Sequence, residues 1–159
     1  MKTKAENEVV FEFPSHSVNE GFARTAVACF IAQMDPTLAE VGDIKTAVSE
    51  AVTNAILHAY PDVIGKVAVR TRRLPGNVAE ITVLYARVED DRLFVEIIDY
   101  GRGIDNIDLA REPFYTSRPD LERSGMGFTI MESFTDALRV RSRMGKGTTV
   151  VMKKKITGK

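Results

Sequence analysis

Glu50 and Asn54 lie four residues apart in the stretch Ser49-Glu50-Ala51-Val52-Thr53-Asn54-Ala55-Ile56-Leu57-His58. Apolar residues recur through it at Ile44, Ala47, Val48, Ala51, Val52, Ala55 and Ile56, which is a helical period. On such a helix the two polar side chains stand about 40° apart on one face and one turn apart along the axis. They border the apolar stripe, with the small Ala47 and Ala51 beside them. A carboxylate and a carboxamide at the rim of a core-packed helix can line a pocket. The same pair also occurs as a solvated Glu and a surface Asn.

Three further stretches carry candidate chemistry. Asp99-Tyr100-Gly101-Arg102-Gly103 follows Leu93 to Ile98, an almost continuously apolar run that reads as a central strand. A carboxylate at the buried end of that strand needs a donor, and the exocyclic amine of adenine is one such donor. Gly101 and Gly103 would let backbone approach a flat ring. Read alone, D-x-G-x-G is also a common tight turn. Ser124-Gly125-Met126-Gly127 opens a helix beginning Phe128-Thr129-Ile130, and exposed amides at a helix start form a phosphate cradle. No Gly-Lys-Ser/Thr follows, so it is not a Walker A loop, and no strand directly precedes it, as a dinucleotide fingerprint requires. An ordinary glycine loop with a Ser cap fits the same residues. Arg118 and Arg123 precede these glycines, where either can reach a phosphate or simply be solvated. Gly147-Thr148-Thr149 starts the last strand and can set a hydroxyl at a pocket floor, or serve plain turn chemistry.

The elements that must position these residues follow from local pattern. Val9 to Phe13 reads as a strand stopped by Pro14. A helix follows to about Met34, capped by Ser17 or Asn19, with Phe22, Ala23, Ala26, Val27, Phe30 and Ile31 on one side. Asp35 or Thr37 caps a second helix over 37–59, which Tyr60-Pro61-Asp62 ends. Strands are expected over 64–73, 78–88 and 92–99, successive and antiparallel across turn-like separators. A short helix fits 105–111 and another 125–135. Strands over 136–143 and 147–155 close the chain, joined by Met144-Gly145-Lys146. This order predicts an α+β two-layer sandwich, a mixed and mostly antiparallel sheet with helices on one face.

Composition narrows the function classes. At 159 residues the chain is expected to form a single domain, 1–159, with a core of its own. Basic and acidic residues balance at 22 each, which gives no support to general nucleic-acid or membrane-surface binding. The single cysteine, Cys29, is expected to be a small buried hydrophobe and permits no disulfide within one chain. No apolar run approaches a membrane span, so a soluble protein of a reducing compartment is expected.

The motifs E-x-x-x-N on a helix, D-x-G-x-G after a strand, G-x-G opening a helix and a terminal G-T-T occur in that order. Together they resemble the asparagine box, the two glycine boxes and the threonine box of the Bergerat-type (GHKL) ATPases, the superfamily of gyrase, histidine kinases and MutL. Within it, Val48 to Ile56 and Leu121 to Glu132 are similar to the anti-sigma-F factors, the second segment being specific to them. The resemblance runs from about Phe11 to Lys155. Two departures stand out. The stretch from Arg70 to Asp91 is longer than the family's, and Ala59 stands after His58 where the family has glycine.

The resemblance implies a cytoplasmic serine kinase using ATP and Mg²⁺. Such a kinase phosphorylates an anti-anti-sigma factor (stage II sporulation protein AA), and it sequesters sigma factor F during sporulation, acting as a homodimer. It implies that Asn54 holds Mg²⁺ and that Glu50 accepts the proton of the substrate serine. It implies that Asp99 binds adenine and that Gly101, Gly103, Ile104 and Thr148 also belong to the nucleotide site. Arg123 and the stretch Ser124, Gly125, Met126, Gly127 and Phe128 would hold phosphates, and Arg24 matches the residue that contacts both protein partners. Neighbouring expectations are an anti-sigma-B-type switch kinase and a non-catalytic, ATP-gated sigma-binding module. The ATPase half of a histidine kinase would need a helical hairpin with an acceptor histidine, and neither His16 nor His58 sits in one.

Overall fold

The computed structural model describes residues 7–74, 91–116 and 125–158. Five strands form one sheet: β1 (Asn7–Pro14), β2 (Lys66–Leu74), β3 (Asp91–Asp99), β4 (Ala137–Arg143) and β5 (Gly147–Ile156). Their spatial order is β1-β2-β3-β5-β4, and all four pairings are antiparallel. The two-layer α+β expectation holds, with no parallel pair among the described strands. The expected strand over 78–88 lies outside the described residues. Counting three successive antiparallel strands would make the first and third parallel. Instead β2 and β3 are adjacent and antiparallel, with Leu74 opposite Arg92 and Val67 opposite Asp99.

The alternation of the strands decides which face meets the helices. Leu93, Val95, Ile97 and Asp99 share one face of β3, and the register brings Val67, Val69, Val150 and Met152 to the same side. Against them lie α1 (Asn19–Ile31) and α2 (Leu38–Asn54), whose buried residues include Ala23, Val27, Ile31, Ile44, Val48 and Val52. Each fully buried Val or Ile contributes about 1.5–3 kcal/mol to this packing. The other face is charged, with Glu96 paired to Arg72 at 3.2 Å and to Arg70 at 3.6 Å.

Local chemistry sets the helix ends. Thr37 and Glu40 form a reciprocal capping box on α2: Glu40 N–H donates to Thr37 Oγ1 at 3.2 Å and Thr37 N–H to Glu40 Oε2 at 2.9 Å. Asp35 does not cap; it takes a left-handed conformation (φ 48°) that closes the 3-10 turn Ala32–Met34. The regular part of α2 stops at Asn54, and Ala55–Ala59 widens into a π turn where a continuous helix was expected. At α1 the cap position is Val18, whose side chain has no polar atom, so neither Ser17 nor Asn19 caps; the Asn19 amide donates to Pro14 O at 2.9 Å. Cys29 is exposed, not buried: the fully buried stripe of α1 is Ala23, Val27 and Ile31, and Cys29 lies off it. Phe22 is exposed too and packs edge-on against Phe11. The remaining helices are α3 (Ile107–Ala110), capped by the Asn106 side chain, and α4 (Gly127–Phe134). The latter begins at Gly127, two residues later than expected, with Met126 at the cap position and no side-chain cap.

Candidate functional site

Asn54 and Glu50 meet the start of α4. A methyl group placed on Gly127 would lie 3.1 and 3.2 Å from Asn54 Nδ2 and Oδ1 and 3.4 Å from Glu50 Oε2. The glycine therefore lets the helix start, with its amides, approach both side chains closely. Asn54, Gly127 and Phe128 line a cavity of about 360 Å³. Asp99, Gly103, Ile104 and Thr148 line the same cavity.

Asp99 ends β3 on the helix-facing side and is 8 % exposed. Its Oδ1 accepts from Gly101 N–H at 3.0 Å and from Thr148 N–H at 3.1 Å. Among the described residues Oδ2 has no protein partner, and the residue lines the cavity. Burial raises its carboxyl above the usual aspartate range, and the bonds from Gly101 and Thr148 offset only part of that push. A desolvated carboxylate with one oxygen still to satisfy is a seat for a ligand's N–H donor.

The turn after Asp99 is held by close backbone packing. A Cβ on Gly101 would stand 2.1 Å from Ala59 O, and Arg102 N–H donates to that same carbonyl at 2.9 Å. Gly103 takes φ +81° against Arg143 O, where a side chain would be both strained and in collision. The Tyr60 hydroxyl accepts from Tyr100 N–H at 2.8 Å and donates to Lys66 O, tying the end of the π turn to this loop. On the far side, Ile104 N–H donates to Ser142 Oγ at 2.7 Å.

The structure thus brings Asn54, Asp99, Gly103, Ile104, Gly125, Gly127, Phe128 and Thr148 around one cavity. Glu50 joins through Gly127, Gly101 through Asp99, and Met126 as the cap of α4. Arg123, Ser124 and Arg118 lie outside the described residues. Arg24 stands apart on α1, ion-paired with Glu20 at 2.7 Å and bonded to Ser49, the residue before Glu50. Sequence reasoning missed Ser142, Tyr60, and the cavity-lining His58 and Met144. Ser142 had a legible signal: in the inward register Leu138, Val140, Ser142 it is the one polar residue.

The family model for the histidine kinase-like ATPase domain matches residues 13–154, from β1 to β5. An anti-sigma F factor of Clostridium beijerinckii is 54 % identical over 151 residues, 95 % of this chain and 96 % of its own. One from Clostridium acetobutylicum is 51 % identical, covering 94 % of each. The chain belongs to the histidine kinase-like ATPase family, among the anti-sigma F factors. The matched span contains every cavity residue named above. In fold, the chain also resembles the solved RsbU and RsbW domains of a Mycobacterium tuberculosis protein. There the TM-score is 0.61 at 18 % identity, over 94 % of this chain and 32 % of that one. Among the described residues no helix is long and apolar enough to cross a membrane.

Proposed function

We propose that this chain is an ATP-dependent protein serine kinase and a sequestering partner of sigma factor F. Its phosphoryl acceptor would be a serine of the anti-anti-sigma factor. The observation that carries the reading is the meeting of Glu50 and Asn54 at Gly127, a helix start that lines the same cavity as Asp99.

In this reading the Asp99 carboxylate accepts from the adenine amine, and the α4 amides bind phosphate oxygens. Asn54 Oδ1 is a hard oxygen donor of the kind Mg²⁺ prefers. The described residues hold no cluster of three or more His, Cys, Asp or Glu that would cage an ion. That fits a cation bound through one protein oxygen and the substrate phosphates. Mg²⁺ supplies charge neutralisation and alignment of the phosphates when bound. Glu50 takes the proton of the serine hydroxyl as its oxygen bonds to the γ-phosphorus. The bond from the γ-phosphorus to the β-bridging oxygen breaks, leaving ADP and phosphoserine. Arg24, linked through Ser49 to the turn that carries Glu50, supports a partner seated over the reacting end. We further assign the homodimer and the cytoplasmic location on the strength of the family.

The test is transfer of labelled γ-phosphate from Mg-ATP to a purified anti-anti-sigma factor, followed by acid. Acid-stable label that disappears in Glu50→Gln, with nucleotide still bound, is the expected result. Acid-labile label would turn the reading toward histidine phosphorylation. Bound ATP without transfer would leave an ATP-gated binding module.

A further inference from the structure

The hydrogen bonds around Asp99 form a continuous chain that returns to the loop where it starts. Gly101 N–H and Thr148 N–H both donate to Asp99 Oδ1. The Thr148 hydroxyl lies 2.8 Å from Ser142 Oγ, and Ser142 Oγ accepts from Ile104 N–H at 2.7 Å. Ser142 Oγ also stands 3.2 Å from the Gly147 carbonyl. Both ends, Gly101 and Ile104, belong to the loop that follows β3.

One sense of this chain meets every contact of Ser142. A serine hydroxyl has one proton and two lone pairs. The Gly147 carbonyl can only accept, so the Ser142 proton goes there. One Ser142 lone pair holds the Ile104 amide, and the other is left for the Thr148 proton. All three contacts of Ser142 are met at once only in this arrangement. Thr148 Oγ1, which lines the cavity, then has lone pairs alone to offer a ligand. Asp99, whose Oδ2 is also an acceptor, lines the same cavity.

We infer that Ser142, which lies behind Thr148, is a specificity-determining positioning residue that locks the Thr148 hydroxyl as an acceptor and so selects a purine bearing an amine rather than a carbonyl at position 6. A base with a 6-oxo group would set its oxygen against two acceptors, and buried polar groups left without partners discriminate strongly. Without Ser142 the Thr148 hydroxyl is free to turn and donate to that oxygen. The inference rests on the purine-nucleotide reading above.

The experiment compares the affinities of Mg-ATP and Mg-ITP (inosine triphosphate) by calorimetry; inosine carries a carbonyl in place of the amine at position 6 and, with it, a proton on N1. Ser142→Ala should shrink the preference for ATP roughly tenfold, with Ser142→Thr keeping it. Equal weakening of both ligands in Ser142→Ala would show a merely structural role and overturn the inference, as would no change in either. Should the alanine variant fail to fold, Ser142→Cys, similar in size with a weak hydrogen-bonding group, is read the same way. A wild-type protein binding ATP and ITP alike removes the inference while leaving nucleotide binding in place. One binding neither removes the kinase reading with it.

Discussion

The two ends of α2 treat their polar groups in opposite ways. At the N-terminal end, Glu40 is 9 % exposed and both of its oxygens are used. Oε2 takes Thr37 N–H, and Oε1 takes the Thr157 amide at 2.8 Å and its hydroxyl at 2.7 Å. This knots the segment after β5 to the helix start. At the other end the helix widens, Glu50 and Asn54 meet Gly127, and Asn54 lines the cavity that the half-used Asp99 also lines. Glu40 and Asp99 expose almost equal fractions of their surface, but Asp99 sits deeper in the protein, and their acidities move apart. Burial pushes Glu40 up, but bonds from the Thr157 side chain and from the Thr37, Thr157 and Gly158 backbone outweigh it and hold Glu40 below the usual range. For Asp99 burial wins. Saturation marks a carboxylate that holds the fold; a spare oxygen facing a cavity marks one that waits for a ligand.

That contrast breaks if the two ends respond alike to substitution. The largest effect is expected at Glu50: Glu50→Gln should lower phosphoryl transfer by about a hundred- to ten-thousand-fold, with nucleotide affinity kept. A single-turnover assay beside calorimetry separates the two, and equal loss of both would deny Glu50 its role as base. Next comes Asp99→Asn, which should weaken ATP binding about ten- to a hundredfold by presenting an amide to the adenine amine. Its thermal stability should move by less than about 1 kcal/mol, since a desolvated charge is removed. Glu40→Gln should do the reverse, costing about 1–2 kcal/mol of stability in denaturant titrations while ATP affinity in the folded protein is unchanged. Nucleotide weakening there, without loss of stability, would erase the distinction between the ends.

The smallest effect is a separation in pH. Glu40 has a folded pKa below its ordinary 4.5, so its stabilisation is fully present above that value and is lost as pH falls through the depressed one. Asp99 has a folded pKa above its ordinary 3.8, so in the interval above 3.8 the folded state holds the extra proton, and its contribution to stability declines as pH rises. Binding, by contrast, needs the ionised form and weakens as pH falls through the raised value. On acidification ATP affinity should therefore fall before the fold does. Parallel calorimetry and circular dichroism from neutral to mildly acid pH would show it, and coincident losses would contradict the assignment.

How much was legible depended on the range of the physics involved. The sequence determined the periodicity of α2, the apolar run of β3 and its terminal Asp99, the glycines of the loops, and the order of the motifs. Each of these is written in neighbours a few residues apart, where helix period, strand alternation and glycine's missing Cβ act directly. Local signals were less secure at the helix caps. Thr37 won over Asp35 because Glu40 could reciprocate, and Asn19 bonds to Pro14 without capping. The exposure of Cys29 followed from the narrowness of the stripe that α1 buries.

What only the tertiary structure decided was who stands opposite whom. The direct pairing of β2 with β3, the seat of Thr157 on Glu40 and the chain from Asp99 through Thr148 and Ser142 to Ile104 join residues far apart in sequence. No local pattern encodes such bonds. They arise because packing one apolar face against another sets the register of the strands, and the register then chooses which oxygens are spent on the protein and which are left to a ligand.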